Sequence, residues 1–169
     1  APMFHFPSAY PGKVAGTEKG VTDPKATFSA CFGAPFLPLP PTRYARMLGE
    51  RIAQHRSQVW LVNTGWTGGA YGVGSRIQIK YTRAMVNAAV RGQLASVEFE
   101  RDPVFNVDVP RSCPGVPSDV LRPRTTWTRT ADYDTQAARV AGMFQTNFKN
   151  FEACVTPAVQ AAGPRVPQS

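Results

Sequence analysis

The segment that most constrains the fold spans residues 59–90, VWLVNTGWTGGAYGVGSRIQIKYTRAMVNAAV. A short apolar stretch leads into a glycine-rich loop at 65–74, where turns are expected. Residues 76–81 then alternate between polar and apolar, which predicts a half-buried strand. Thr82 is placed to cap a helix over 83–91. This order predicts that backbone amides, an arginine and a hydroxyl surround one concave spot suited to a nucleotide.

The glycine-rich loop has the outer spacing of a phosphate-binding Walker A loop, in the pattern Gly69-x4-Gly74-Ser75. Ser75 stands where that loop needs its lysine, and a strand rather than a helix is predicted next. The loop is therefore not a Walker A motif. Two interpretations remain equally favoured: backbone amides that approach a nucleotide, and a plain hairpin connection between two strands.

Arg76 directly follows this loop on the polar face of its predicted strand. A planar guanidinium is a good partner for phosphate oxygens and for the face of a base. Thr82 offers a hydroxyl from the start of the next helix, although its spacing alone favours a plain N-cap. Arg76 is therefore the stronger ligand candidate of the two.

Other polar residues give weaker signals. Lys13 and Glu18 lie in a Pro- and Gly-rich loop and are candidates for a lid, although solvated loop charges are more common. His5 and His55 have no partner motif, and Cys31 is more typical of a packed small hydrophobe than of a nucleophile. No carboxylate pair or metal-ligand cluster is visible, so the sequence nominates no catalytic residue and no metal ligand.

Composition narrows the class of protein. The 169 residues are 43% apolar, enough for a domain with a core, and no apolar run is long enough to span a bilayer. A net charge of +8 favours an anionic partner, yet the basic residues are scattered as on a solvated surface. Three widely spaced cysteines suit a reducing cytosol rather than a disulfide scaffold. The first residue is Ala rather than Met, as in a cleaved or excised segment.

Hydrophobic periodicity predicts the remaining elements. A helix is expected from Pro41 to about His55, because proline suits a first helical turn. Short strands are expected at 59–63, 97–100 and 104–109. The apolar face of this first helix comprises Tyr44, Met47, Leu48 and Ile52. A further helix is expected late in the chain, and its apolar face comprises Ala137, Val140, Ala141, Phe144, Phe148 and Phe151.

Several segments together carry a family resemblance. They occur in order along nearly the whole chain, and FSACFG with LVNTGW is a distinctive combination. The chain resembles the C-terminal portion of ATP-dependent phosphoenolpyruvate carboxykinase. The segments are AGTEKG (15–20), ATFSACFGAPF (26–36), LVNTGWTGG (61–69), YGVGSRIQIKYTRAMVNA (71–88), PGVPSDVLRPRTTW (114–127) and AAGP (161–164).

The resemblance implies an activity and a fold. The family converts oxaloacetate and ATP to phosphoenolpyruvate, ADP and carbon dioxide, the entry step of gluconeogenesis in the cytoplasm. It has a two-domain α/β fold with the active site in the cleft, and it uses Mg²⁺ and Mn²⁺. The family's phosphate loop, metal ligands and carboxylate-binding arginines belong to sequence upstream of Ala1. The resemblance therefore implies that this segment alone is inactive and that its partners are ATP, oxaloacetate or phosphoenolpyruvate, and the missing N-terminal portion.

Three positions match the family's adenine-side motif R-I-x-I-x-x-T, namely Arg76, Ile77 and Thr82. Residues 8–20 resemble the mobile lid of the family. This segment differs from the usual lid sequence at Ala9 and Pro11. The lid residues that the resemblance nominates are Ser8, Tyr10, Gly12, Lys13, Gly16, Thr17 and Glu18.

The expected organisation is a mixed α/β segment of the nucleotide-side domain. Residues 1–25 form a loop that includes the lid, 26–156 are part of the C-terminal nucleotide-binding domain, and 157–169 are a loose tail. Neither nucleic acid nor a membrane is expected as a partner, and homo-oligomerisation is left open. The alternative is a basic non-catalytic module that binds nucleic acid or serves a structural role.

Overall fold

Secondary structure in this chain is mixed helix and strand, as predicted. A computed structural model describes residues 12–13, 25–26, 38–70 and 72–166. In chain order the elements are β1 (Gly12–Lys13), β2 (Lys25–Ala26), α1 (Pro41–His55), β3 (Trp66–Thr67), β4 (Ser75–Arg76), α2 (Ile79–Val90), β5 (Phe99–Arg101), β6 (Asp108–Pro110), α3 (Ser118–Leu121), α4 (Pro123–Thr126), α5 (Thr130–Phe148), a 3₁₀ helix (Glu152–Cys154) and α6 (Pro157–Gln160).

The chain divides into two compact units. Of the described residues, the first unit contains those up to 58 together with 140–166, and the second contains 59–139. Composition alone gives no sign of this division. Residues 59–64 form no strand, so the prediction of a strand at 59–63 is wrong.

In the first unit, α1 begins and ends where the sequence predicts. Pro41 occupies the first turn, where its fixed φ suits the helix and its missing N–H is not needed. At the other end Arg56 adopts a left-handed conformation with φ 50°, and Ser57 N donates to Ile52 O at 3.2 Å. This left-handed cap satisfies carbonyls that the last turn leaves unpaired. On the predicted apolar face Ile52 is half-buried, whereas Met47 is 46% exposed.

The segment after Thr156 was expected to be loose, but it contains the helix α6. Pro157 opens this helix, and Gln160 Nε2 donates to Glu152 O at 3.0 Å. Gln145 Nε2 on α5 donates to Pro164 O at 3.0 Å. These amide hydrogen bonds hold the segment against the end of α5, and periodicity does not reveal them because they depend on side chains without apolar spacing.

The core of the second unit forms around α2. Ala88, Leu94, Cys113 and Leu121 are buried together, and partly buried residues that include Trp60 and Met85 pack against them. The end of α2 directs the chain into this core. Gly92 has φ 69° and Gln93 N donates to Ala88 O at 2.9 Å, the geometry of a Schellman cap. The predicted end of this helix near residue 91 is confirmed, since α2 ends at Val90.

Strands β5 and β6 form an antiparallel hairpin that is shorter and shifted relative to the predicted strands. Arg101 pairs with Asp108 across it, and their side chains form an ion pair at 2.9 Å. The predicted strand at 104–109 is wrong over its first four residues, because Asp102 organises a turn there. Asp102 Oδ1 accepts hydrogen bonds from Val104 N and Phe105 N at 2.9 and 2.6 Å. Such a carboxylate-centred turn competes with strand extension.

The final helix α5 has the predicted face, but it ends before the last predicted residue. Ala137, Ala141 and Phe148 are buried, consistent with helical spacing. Phe151 lies beyond the helix end, where Phe151 N donates to Phe148 O in a turn. Upstream of α5, where the sequence predicts no element, the chain forms the two short helices α3 and α4. Within the described residues, no helix has both the length and the apolar character needed to cross a membrane.

We predict that the two described cysteines react at different rates. Cys154 is exposed, whereas Cys113 is 6% exposed and burial raises the pKa of its thiol. Because the thiolate is the nucleophile, a maleimide should label Cys113 slower than Cys154 by on the order of tenfold or more. Peptide mass spectrometry measures each site and scores Cys31 separately. The two rates should converge in denaturant, and equal rates under native conditions would contradict the described core.

Candidate nucleotide site

The glycine-rich loop is the connection of a short antiparallel hairpin. Trp66 pairs with Arg76 and Thr67 with Ser75. Ile77 N donates to Gly65 O at 2.9 Å, which extends the pairing by one hydrogen bond beyond the two strands. The loop therefore is a hairpin connection, which was one of the two interpretations left open by the sequence, and this geometry agrees with the rejection of a Walker A loop.

Gly74 lies at a place where no side chain fits. A Cβ built on it would approach Thr67 O at 2.5 Å and Gly69 O at 2.6 Å. Gly69 is buried, and its own Cβ would meet Gly74 N at 2.8 Å. The two glycines therefore allow the two arms of the loop to pass in backbone contact. At the far end of the loop Val73 is 78% exposed.

Arg76 ends β4 with its side chain exposed, and Ile77 follows it half-buried. Within the described part of the chain, the Arg76 guanidinium has no carboxylate partner, whereas Arg101 and Arg124 each pair with an aspartate. The planar guanidinium of Arg76 and the apolar side chain of Ile77 are the two contacts that the sequence predicts for a nucleotide base.

Thr82 is not the N-cap of the helix, and the predicted strand over 76–81 is wrong beyond Arg76. Helix α2 begins at Ile79 with Gln78 as its N-cap. Gln78 O accepts hydrogen bonds from Tyr81 N at 2.9 Å and Thr82 N at 3.3 Å, so the helical turn is already closed there. Thr82 is the fourth residue of α2 and is half-buried.

The start of α2 carries no side-chain cap and no acidic residue in its first turn. Its first N–H groups are therefore not satisfied by the helix itself, and they carry the positive end of the helix dipole. Two residues, Ile77 and Gln78, separate this end of α2 from β4. The exposed Arg76 and the start of α2 are thus close neighbours along the chain, and Ile77 links them.

The predicted lid lies almost entirely outside the described residues. Gly12 and Lys13 are the exception, because their backbone forms β1 and pairs with β2 in the register Gly12↔Ala26. The other predicted lid residues outside the description are Ser8, Tyr10, Gly16, Thr17 and Glu18.

Thr126 is a residue at this site that the sequence does not suggest. Its Oγ1 accepts a hydrogen bond from Gly68 N at 3.1 Å and lies 3.1 Å from Thr67 Oγ1. It also donates to Pro123 O at 2.7 Å within α4. One half-buried hydroxyl thus joins the glycine-rich hairpin to α4. Its separation from Gly68 by 58 residues explains why no local pattern indicates the contact.

Helix α4 is in turn held to α5 by an arginine–carboxylate pair. Arg124 donates from Nε to Asp134 Oδ1 at 2.7 Å and from its terminal nitrogen to Asp134 Oδ2 at 2.8 Å. The hydrogen bond from Arg124 lowers the pKa of Asp134. Beside this pair, Trp127 meets Tyr133 edge-on at 5.8 Å, and burial raises the pKa of the Tyr133 phenol.

The described residues offer no metal site. Among them, no three or more His, Cys, Asp or Glu side chains are grouped so as to hold an ion, so these residues do not fit Mg²⁺ or Mn²⁺. A hollow of about 250 Å³ in the first unit is lined by Gln145, Phe148 and Lys149 among others. None of the predicted nucleotide contacts lines this hollow.

Comparison with known proteins gives consistent matches. A model of the phosphoenolpyruvate carboxykinase family matches residues 1–119, a range that contains Arg76, Ile77 and Thr82. Phosphoenolpyruvate carboxykinase (ATP) 2 of Moorella thermoacetica is 58% identical over 164 residues, which are 97% of this chain and 31% of the relative. Phosphoenolpyruvate carboxykinases (ATP) of Caldanaerobacter subterraneus subsp. tengcongensis and Thermus thermophilus are each 55% identical over 163 residues, 96% of this chain and 31% of the relative. The chain therefore spans about a third of the length of these curated relatives.

We predict that Gly74→Ala disrupts the hairpin. The added Cβ would meet two backbone oxygens within 2.6 Å, and backbone atoms cannot move aside as a flexible side chain would. The expected loss is about 1–3 kcal/mol in the free energy of unfolding, as for overpacked interior sites. Denaturant unfolding measures this loss. Gly49→Ala in α1 is the control, because nothing lies within 4 Å of its added Cβ, and equal stability of both variants would contradict the described loop.

Proposed function

We propose a function for this chain from one premise that the matches establish: the chain belongs to the ATP-dependent phosphoenolpyruvate carboxykinase family. The protein that contains it converts oxaloacetate and ATP to phosphoenolpyruvate, ADP and carbon dioxide, the reaction of gluconeogenesis that the resemblance implies. This activity belongs in the cytoplasm. The observation that carries the proposal is identity of 55–58% over 96–97% of the chain to enzymes with this name.

We place the chain in the C-terminal, nucleotide-side domain of a two-domain enzyme. The relatives are about three times longer than the part that matches this chain. The remaining two thirds of such a polypeptide can therefore contain most of the active site. We assign the phosphate loop and the ligands of Mg²⁺ and Mn²⁺ to that other part, because no group of described residues fits a metal ion. Residues 8–20 serve as the lid of this site.

The contribution of this chain is the adenine side of the ATP site, formed by Arg76, Ile77 and Thr82. Arg76 supports this role because its exposed guanidinium has no carboxylate partner in the described residues and is available to a ligand. Ile77 adds an apolar contact for the base, and the hydroxyl of Thr82 lies in the first turns of α2. A cationic plane with an apolar neighbour binds the face of a purine without needing metal or catalytic groups.

The chemistry of the reaction requires more than these contacts. Phosphoryl transfer depends on positioning and on neutralisation of phosphate charge. Among the residues that the structure describes, no carboxylates or histidines are grouped for that purpose. The chain therefore orients ATP, while the remainder of the enzyme acts on its phosphates and on oxaloacetate.

We predict that Arg76→Ala weakens ATP binding by roughly 10- to 100-fold, the loss expected when a hydrogen bond or stacking contact of a charged group is removed. Isothermal titration of the enzyme with ATP measures the change. Arg139→Ala is the matched control, because Arg139 is exposed on α5 and its removal lowers the net charge equally. Equal effects of the two substitutions would contradict the assigned site.

The same variants test the alternative of a nucleic-acid-binding module. Binding to RNA through scattered basic residues weakens steeply with salt and depends on charge number rather than on one arginine. RNA binding that falls equally in both variants, without preference for ATP, would favour that alternative over the carboxykinase assignment.

We also predict that the 169-residue chain by itself does not turn over oxaloacetate. Activity should appear only when the remainder of the enzyme is present, in the same polypeptide or as an associated fragment. A coupled assay for phosphoenolpyruvate formation, run with and without that remainder, measures this dependence. Turnover by the purified chain alone would refute the assignment of the reactive groups to other sequence.

A further inference from the structure

We infer that Thr126 is a positioning residue for the proposed ATP site, an inference that rests on the proposed function. Its hydroxyl fixes the hairpin that presents Arg76, although Thr126 itself lies on α4 and not on the hairpin. The resemblance assigns Arg76, Ile77 and Thr82 to the nucleotide, and it assigns no role to Thr126.

The hydrogen-bond pattern of the Thr126 hydroxyl gives it a defined direction. A threonine hydroxyl has one hydrogen to donate and two lone pairs to accept. The hydrogen is used toward Pro123 O, the shortest of its contacts at 2.7 Å. The lone pairs then receive Gly68 N and the hydroxyl of Thr67, both at 3.1 Å. Thr126 Oγ1 is thus fully used, and two of its three bonds go to the hairpin.

The anchor behind Thr126 is rigid. Pro123 opens α4 with a fixed φ, and the adjacent Arg124 makes the two-pronged pair with Asp134 on α5. Trp127, on the other side of Thr126, packs edge-on against Tyr133 of the same helix. Thr126 therefore lies between two contacts to α5 and presents its hydroxyl from a fixed place.

The hairpin needs such an anchor. It contains two residue pairs, and an isolated two-stranded hairpin of this size has little stability of its own. Thr67, which Thr126 holds, pairs with Ser75, the residue before Arg76. The approach is close as well, because a Cβ on Gly68 would lie 3.4 Å from Thr126 O. Fixing Thr67 and Gly68 to α4 thereby fixes the strand that presents the guanidinium.

The experiment compares Thr126→Val, Thr126→Ser and Thr125→Val in the complete enzyme. Valine keeps the shape of Thr126 and removes its hydroxyl, whereas serine restores the hydroxyl. Thr125 is the matched neighbour, because its hydroxyl donates to Arg122 O and, among the described residues, makes no contact with the hairpin. We expect Thr126→Val to raise Kd and KM for ATP about tenfold, equivalent to about 1.4 kcal/mol, with a much smaller change in kcat. Thr126→Ser and Thr125→Val should stay within about twofold of the original enzyme on the same scale.

Hydrogen exchange at the Gly68 amide gives a readout that does not depend on ATP. Thr126→Val should speed this exchange, and Thr126→Ser should restore its protection. Unchanged exchange in the valine variant would overturn the described anchor. Faster exchange with unchanged ATP affinity would overturn the positioning role. If Thr126→Val does not fold, Thr67→Val removes the other hydrogen bond to the Thr126 hydroxyl. An unchanged Kd for ATP in that variant would overturn the positioning role.

Arg76→Ala, measured in parallel, separates this inference from the proposed function. Weaker ATP binding in Arg76→Ala with unchanged binding in Thr126→Val refutes the role of Thr126 alone. Unchanged ATP binding in Arg76→Ala refutes the proposed site, and the positioning role through Arg76 falls with it.

Discussion

The pairing of Trp66 with Arg76 and of Thr67 with Ser75 is the constraint on which the candidate nucleotide site depends. Two residue pairs contribute little stability by themselves. The position of Arg76 therefore depends on the hydrogen bonds at the two ends of this hairpin. One end continues through Ile77 N to Gly65 O, and the other is tied to α4 through the hydroxyl of Thr126. In this way the backbone of a surface arginine is held in place without an acidic partner in the described residues.

Elements with a strong local signal are predictable from this sequence. Helix α1 follows Pro41 and ends at a left-handed residue, and α2 ends where Gly92 allows a positive φ. The glycine-rich segment is also recognisable as a connection between two strands. In each case a single residue type sets the backbone dihedral angles, so the local sequence carries enough information.

Elsewhere two local patterns compete, and the pattern that the sequence favours is not the one that the chain forms. The alternation at 76–81 fits a strand with Ile77, Ile79 and Tyr81 on one face. In the structure Ile77 and Tyr81, four residues apart, are half-buried, whereas Ile79 at the start of α2 is 71% exposed. The strand at 104–109 fails for a similar reason, because Asp102 bonds the next amides in a turn. Burial and side-chain hydrogen bonds in the turn decide between strand and helix or turn in these two segments. Neither can be read from the apolar alternation within a six-residue window.

The candidate site divides along the same line. Arg76, Ile77 and Thr82 were identified through the resemblance to a family, and spacing alone favoured only Arg76. Thr126 could not be found from the sequence, because 58 positions separate it from Gly68. Its place also depends on α4, a helix where the sequence predicts no element. Long-range hydrogen bonds of this kind are set by packing, which no local pattern records.

The backbones of Gly69 and Gly74 are in contact, and this contact forms the neck of the loop. Gly72 and Val73 lie beyond the neck. The neck fixes the spacing of the two strands, whereas Gly72 and Val73 are exposed. Val73 N donates to Ala70 O at 3.0 Å, so the backbone turns back within the loop. Because the contact at the neck joins backbone atoms, the exposed side chain of Val73 takes no part in it and can change without moving the strand of Arg76.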